Sequence, residues 1–245
     1  MSEPNDARPR ERLQVLNLYS GLGGNRKLWP DTVDVTAVEI NPDIADYYAE
    51  QFPEDEVIVA DAHEYLKENH EQFDYVWSSV PCQTHSRVSW MAWASDAPQN
   101  EDRDPDYPDM RLYQEILFLD NFFQGDWAVE NVISYYTPLV DPQTVATHYI
   151  WSNYHIPKFD FEGGPGAWTN PPMEKFEEYL GFDLSGYEFD GERKDQLLRN
   201  CVDPKVGKHV FDSRSKQQKL PITTGGGARP KHEVKQAGNA GESEL

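Results

Sequence analysis

Apolar runs alternate with amphipathic stretches along the first half of the chain. Residues 13–19 (LQVLNLY) have the length and composition of a buried strand. Gly21, Gly23 and Gly24 break it, and a short helix is expected before Pro30 closes or bends it. Residues 33–40 (VDVTAVEI) predict a second strand, with a helix from Asn41-Pro42 through Phe52. Residues 56–61 (EVIVAD) predict a third strand, followed by a helix around 64–70. A fourth strand is expected over 73–80, stopped by Pro81, and residues 84–109 are polar and proline-bearing enough to predict a long loop. Leu112, Ile116, Leu119 and Phe123 share one helical face, and 127–132 predicts a fifth strand. Strand and helix in repeated alternation imply an α/β fold, a doubly wound, mostly parallel sheet covered on both faces.

Beyond Pro138 the pattern loosens. A strand is expected over 149–156 and a helix over 204–212, while 157–192 is aromatic, acidic and without a clear period. From about Thr223, with three consecutive glycines at 225–227, the chain reads as a flexible tail. The expected organisation is a flexible N-terminus (1–12), a main domain (13–150), a small irregular region (151–195), a return segment packing on the main domain (196–213) and a flexible tail (214–245).

Composition narrows the function classes. The 245 residues carry 43 acids against 22 Lys and Arg, a formal charge of −21, yet aromatics reach 13%, which argues against wholesale disorder. Residues 1–192 have a balance of −26, whereas 193–219 have a balance of +5, a basic strip on an acidic body. Such a strip suits phosphate contact or a solvated helix face. An acidic surface of this density suits very high salt, where self-repulsion is screened, but charge alone favours an ordinary acidic protein that avoids nucleic acid. No apolar run has the length of a membrane span and the first residues lack a signal-peptide core, so a cytoplasmic protein is expected. The two cysteines, Cys82 and Cys201, exclude a disulfide framework or a cysteine-rich zinc site, and no metal is expected.

Candidate chemistry gathers at the ends of the predicted strands. The glycine turn at 21–24 follows the first strand and permits close approach of a ligand to the backbone, or serves only as a turn. Glu39 ends the second strand 18 residues after Gly21, where a ribose-hydroxyl acceptor is expected, and Asp61 ends the third. Either acid could instead cap a helix. Cys82 follows the fourth strand and Glu130 lies in the fifth, so a thiol and a carboxyl group share one sheet edge. A nucleophile and a general acid are one reading of that pair, and an inert cysteine with a structural carboxylate is the other.

These blocks, in this order, resemble the cytosine-C5 DNA methyltransferase family. The resemblance rests on Gly21-Leu22-Gly23-Gly24, Glu39, Asp61, Pro81-Cys82-Gln83 and Glu130-Asn131-Val132, with 61 residues from Gly21 to Cys82 and 48 from Cys82 to Glu130. Arg199-Asn200-Cys201-Val202 before Pro204 looks like the family's final block. The resemblance covers roughly residues 13–132 and 195–212. It implies a Rossmann-like S-adenosylmethionine methyltransferase fold, with 151–195 as a small target-recognition region. S-adenosylmethionine would lie against Gly21–Gly24, with Tyr19 and Ile40 near the adenine, Glu39 on the ribose and Asp61 on the adenine amino group. Ser20, Ala62, Pro81, Asn200 and Val202 are implied as further cofactor contacts. Cys82 would attack C6 of a flipped cytosine while Glu130 acts at N3. Gln83, Ser86, Arg87, Asn131, Val132 and His148 are implied on the substrate side.

The family's Gln-x-Arg-x-Arg block has its nearest counterpart in residues 143–148 (QTVATH), which lack both arginines; His148 or Arg87 is the candidate replacement. The implied partner is double-stranded DNA, met by a monomer, with a cognate restriction endonuclease as a further partner. Reconciling the acidic body with the DNA substrate that the resemblance implies suggests a halophilic, salt-adapted archaeal or archaeal-virus source. An RNA (tRNA) cytosine methyltransferase and a catalytically silent cofactor- or DNA-binding relative are the alternatives.

Overall fold

The computed structural model describes residues 12–93, 107–165 and 171–214; the expected flexible N-terminus and nearly all of the expected tail lie outside them. Seven strands form one sheet: β1 (Leu13–Leu18), β2 (Val33–Glu39), β3 (Glu56–Val59), β4 (Tyr75–Ser79), β5 (Asp126–Val132), β6 (Gln143–Val145) and β7 (His148–Ser152), in the order β3-β2-β1-β4-β5-β7-β6. β1 to β5 are parallel, and β7 runs antiparallel between β5 and β6. The helices are α1 (Pro42–Gln51), α2 (Ala62–Asn69), α3 (Arg87–Trp93), α4 (Arg111–Phe122), α5 (Met173–Leu180), α6 (Lys194–Asn200) and α7 (Pro204–Ser213). The fold is Rossmann-like α/β.

Strand alternation sends side chains to two cores. Leu16, Leu18 and Val76 pack with Leu66 of α2 and Leu112, Ile116 and Leu119 of α4. Val15, Tyr75 and Trp77 face the other way, against Val206, Val210 and Phe211 of α7. Trp29 stacks on Phe211 with ring centroids 4.7 Å apart, so the last helix closes the second face of the sheet.

The chain winds outward from β1 to β3 and then returns to β4 beside β1. That reversal opens a crevice beyond the carboxyl ends of β1 and β4, the place where such sheets bind ligands. The glycine turn leaves β1 there, and Pro81-Cys82 leaves β4.

Four expectations need correction. The glycine turn does not lead into a regular helix: residues 24–28 form turns, with Arg26 and Lys27 N–H groups both bonded to the Gly23 carbonyl. Side chains hold that irregular path, Arg26 on Asp55 and Asn25 on Asn17. The expected loop over 84–109 begins with a helix, α3, started by Ser86, whose Oγ accepts from Val88 N–H and whose carbonyl accepts from Trp90 N–H. Residues 94–106 of that loop lie outside the described residues. The aperiodic stretch 157–192 contains α5, preceded by Pro171-Pro172 and ended by Gly181 at φ +70°, a left-handed conformation that favours glycine.

The strand expected over 149–156 ends at Ser152, because Asn153 turns its side-chain oxygen onto Trp127 N–H at the start of β5. Residues 173–198 share a core with the main sheet domain: Phe176, Leu180, Phe182, Leu184 and Phe189 pack with Leu22, Ile44 and Tyr47. Among the described residues no helix is long and apolar enough to cross a membrane.

Candidate active site

Three strand ends are tied together around the glycine turn. The Glu39 carboxylate accepts from Gly21 N–H and Asn41 N–H, each at 3.0 Å, while Ser20 N–H bonds to Val38 O and Ala60 N–H to Glu39 O. The three glycines do different jobs. Gly21 has φ +51° and open space where a Cβ would stand. Gly23 lies against Tyr48 and Phe52, and Gly24 against Cys201 and the Val202 carbonyl. Only the first leaves room for a ligand. Beside it, Ser20 Oγ is buried and has no hydrogen-bond partner among the described residues. A cradle of open backbone, an unsatisfied hydroxyl and a buried carboxylate fits a polar ligand.

Tyr19, half-buried with φ +53°, forms the next wall. Its hydroxyl donates to Glu115 Oε1 at 2.5 Å, and Ser78 Oγ donates to Oε2 at 2.5 Å. His63 Nδ1 stands 3.3 Å from Oε1. Glu115 is fully buried, and burial, then its charge, pushes the Tyr19 hydroxyl far above the ordinary tyrosine range. The hydrogen bond to Glu115 raises His63. Sequence reasoning missed this network; its one signal was an acid on the apolar stripe of α4, directly before Ile116.

The remaining residues of the expected cofactor set divide by exposure. Ile40 is 66% exposed at the crevice edge. Asp61 caps α2, accepting from Glu64 N–H, and its other oxygen is 3.5 Å from Arg111. Ala62, Leu22 and Val202 have buried side chains within the hydrophobic cores. Pro81 is exposed, and Asn200 ends α6 with its Oδ1 accepting from Gln196.

Cys82 and Glu130 are neighbours at the carboxyl edge of the sheet, close enough for the Glu130 charge to act on the thiol. β4 and β5 are in register with Ser79 opposite Glu130, so the carboxyl group lies beside the turn carrying the thiol. Glu130 is 6% exposed and burial raises its carboxyl group, opposed by the His148 charge and by a hydrogen bond with Ser79. Burial, then the Glu130 charge, pushes the Cys82 thiol up to about 11. Deprotonating both would leave two neighbouring anions, one buried and one half-buried, so the pair favours at least one proton. Cys201 is also pushed up, to about 12, by burial.

Neighbouring residues hold this arrangement. Asn131 Nδ2 donates to Val80 O at 2.9 Å, fixing β5 to the Pro81 turn, and its Oδ1 accepts from Val132 N–H. The Cys82 carbonyl accepts from His85 and Ser86 N–H groups, and Arg87 Nε donates to Ser134 O. Gln83 is exposed at the start of the turn. His85 is fully buried, with Nδ1 2.6 Å from Tyr136 Oη and Nε2 without a partner among the described residues, and burial lowers it. His148 Nε2 stands 3.7 Å from Glu130 Oε1.

A cavity of about 460 Å³ opens along the ends of β5 and β7; its lining includes Val132 and His148 but neither Cys82 nor Glu130. Arg87, Val132 and His148 line one side; Phe161, Tyr179 and Arg199 line the other. The cleft thus runs between the sheet edge and the segment that follows β7.

Residues 13–96 match the family model of the C-5 cytosine-specific DNA methylase, a stretch that includes the glycine turn, Glu39, Asp61 and Cys82 and ends before Glu130. The match supports the cytosine-C5 methylase family over about a third of the chain, and implies S-adenosylmethionine as the cofactor. No curated protein matches the sequence. Among solved structures, the chain is similar to a mutant DNMT2 of Spodoptera frugiperda, at 26% identity over 49% of this chain and 35% of that one, TM-score 0.33. It is also similar to a hypothetical protein of Thermus thermophilus, at 16% identity over 62% and 91%, TM-score 0.38. A SAM-dependent methyltransferase from Agrobacterium tumefaciens is similar at 13% identity over 54% and 42%, TM-score 0.34. The chain therefore spans about a third of the length of the insect protein.

Proposed function

We propose that the protein transfers a methyl group to C5 of a cytosine flipped out of duplex DNA. The observation that carries this reading is a thiol and a protonatable carboxyl group that are neighbours at a switch-point crevice, beside a glycine turn with an open cradle. When bound, S-adenosylmethionine supplies an electrophilic methyl group. Gly21 gives it backbone access, the Ser20 hydroxyl and Glu39 carboxylate offer polar contacts, and Tyr19 is the wall its ring would meet.

The chemistry follows from the Cys82–Glu130 coupling. A carboxylate at Glu130 opposes a thiolate at Cys82, whereas a neutral Glu130 removes that opposition. Raised by burial, Glu130 keeps a proton that it can give to cytosine N3. Cys82, partly exposed, gives its proton to solvent water, and the thiolate electron pair forms the bond to C6 as the C5–C6 π electrons shift. Electron density then moves to C5, which becomes the nucleophile. After methyl transfer, the C5 proton passes to solvent water, the C–H electron pair re-forms the C5–C6 double bond and expels the Cys82 thiolate, and N3 returns its proton to Glu130. Two moderate steps thus replace one difficult substitution.

The cleft beside His148 has room for an extruded base and its backbone, and Arg87 and Arg199 on its walls suit phosphate contact. The strongly acidic remainder of the protein fits a cytoplasm of very high salt, where outer charge is screened. Transfer of labelled methyl groups to cytosine-containing duplex DNA, assayed in multimolar KCl, tests the reading. Label in 5-methylcytosine, lost in Cys82→Ala, is the expected result. Label only on tRNA would reassign the substrate, and cofactor binding without any transfer would indicate a silent relative.

A further inference from the structure

The fully buried ring of His85 ends a chain of hydrogen bonds whose direction is set by its first member. Leu139 N–H donates to Tyr113 Oη at 3.2 Å, so the Tyr113 hydroxyl donates onward, to Tyr136 Oη at 3.3 Å. The Tyr136 hydroxyl then has His85 Nδ1 as its acceptor, at 2.6 Å. An accepting Nδ1 means a neutral ring with its proton on Nε2. Burial, which lowers His85, favours the same neutral form, while the charge and backbone of Asp109 act the other way. Nε2 has no hydrogen-bond partner among the described residues, so the ring is held from its Nδ1 side.

This chain joins two strand ends for a second time. Within the sheet, β4 and β5 pair through Ser79 opposite Glu130. Beyond the sheet, His85 of the turn after β4 meets Tyr136 of the segment after β5. Backbone contacts run alongside: Tyr135 N–H donates to His85 O at 3.3 Å, and Ser86 bridges to Ser134. Arg87 Nε on Ser134 O and the Trp90 ring stacked on Tyr135 extend the tie into α3. The Cys82 carbonyl accepts from His85 N–H at 3.0 Å and Ser86 N–H at 3.1 Å, so the backbone carrying the thiol is bonded to the anchored residue itself. Cys82 and Glu130 thus lie between two ties, the ladder on one side and the His85–Tyr136 pair on the other.

We propose that His85 is the positioning residue for Cys82, its neutral ring, gripped by the Tyr113–Tyr136 hydroxyl chain, fixing the thiol turn against the segment that follows Glu130. This inference rests on the cytosine-methylation reading above and deepens it. His85 neither touches the base nor exchanges a proton in the reaction. Its contribution is geometric: attack on C6 and proton donation to N3 need the thiol and the carboxyl group at a fixed separation, and a misplacement of about 1 Å can cost on the order of a hundredfold in rate.

The link runs through one phenolic hydroxyl, which makes it separable from packing. Steady-state methylation of duplex DNA by the full-length protein tests it, with cofactor affinity from calorimetry and folding from thermal melting. Tyr136→Phe removes one oxygen and keeps the ring. It is expected to lower kcat about tenfold, with KM for DNA and affinity for S-adenosylmethionine within about twofold of wild type. His85→Leu removes the acceptor and should lose at least as much. His85→Asn, whose side-chain oxygen can take the place of Nδ1, is expected to recover most of the rate. Both losses break the same link, so Tyr136→Phe combined with His85→Leu should be no slower than the slower single variant.

Wild-type kcat in Tyr136→Phe would overturn the proposal, and that variant decides alone if the His85 variants do not fold. Losses that add in the double variant, or His85→Asn as slow as His85→Leu, would also overturn it, since they would mark independent packing roles. An active wild type with undiminished variants fails this inference alone. A wild type that binds cofactor but transfers no methyl group fails the methylation reading, and this inference falls with it.

Discussion

Gly24 stands against the final segment of the chain: a Cβ there would lie 2.2 Å from the Val202 carbonyl oxygen and 2.3 Å from Cys201 Sγ. The glycine that follows β1 is therefore a packing device joining the first and last parts of the domain. A backbone carbonyl cannot swing away as a side-chain tip can. Gly24→Ala should destabilise the protein by about 1–3 kcal/mol through overpacking, lowering Tm by several degrees in a thermal melt. An unchanged Tm would show that residues 201–202 are not held against the turn.

Gly21→Ala should behave differently. Among the described residues nothing lies within 4 Å of the position a Cβ would take there, and the cost is mainly that of φ +51°, about 1–2 kcal/mol for a residue with a side chain. The larger loss is expected in S-adenosylmethionine affinity, about tenfold or more by calorimetry. Equal affinity in the two proteins would remove this turn from the cofactor site.

Glu115 satisfies three groups at once, the Tyr19 and Ser78 hydroxyls and His63. Glu115→Ala strands the two hydroxyls and should cost about 3 kcal/mol in denaturant unfolding. Glu115→Gln keeps an acceptor but loses the charge facing His63. Because His63 is raised in the fold, its pairing contributes stability that is full below the unfolded histidine value and is lost as pH rises through the folded value. That loss on raising pH should shrink in Glu115→Gln, and a wild-type profile in the variant would contradict the pairing.

His85 has the opposite sign. Burial lowers it, so the fold prefers the neutral ring, and stability present above the unfolded histidine value is lost as pH falls through the window towards the depressed folded value. Chemical denaturation at about pH 7.5 and about pH 5, on either side of the ordinary histidine value, should show a loss on acidification that is smaller in His85→Gln. An equal loss in both proteins would assign the acid sensitivity elsewhere.

The central parallel strands were legible because residues such as Leu16 and Val76 belong to short apolar runs bounded by glycine or proline. α5 was not, since its one buried stripe, Phe176 and Leu180, sits among Glu174, Glu177 and Glu178 and spans little more than two turns. The helix expected after the glycines fails for a tertiary reason: Asn25 and Arg26 are held by Asn17 and Asp55, partners brought close by the fold. The residues of the candidate site were readable as types at strand ends. Their pairings were not, because Glu130 meets His148 only through the β5–β7 register, and Tyr19 meets Glu115 only through the packing of α4.

The most direct test of the account is covalent trapping at Cys82. Duplex DNA carrying 5-fluorocytosine, incubated with protein and S-adenosylmethionine, cannot lose a C5 proton after methyl transfer, so the sulfur–C6 bond should persist. Intact mass spectrometry should show a protein–DNA adduct bearing one added methyl group, mapped by proteolysis to Cys82 and missing in Cys82→Ala. Methylation of ordinary DNA with no adduct on the fluorinated duplex, or an adduct mapping to Cys201, would contradict the assignment of Cys82 as the nucleophile.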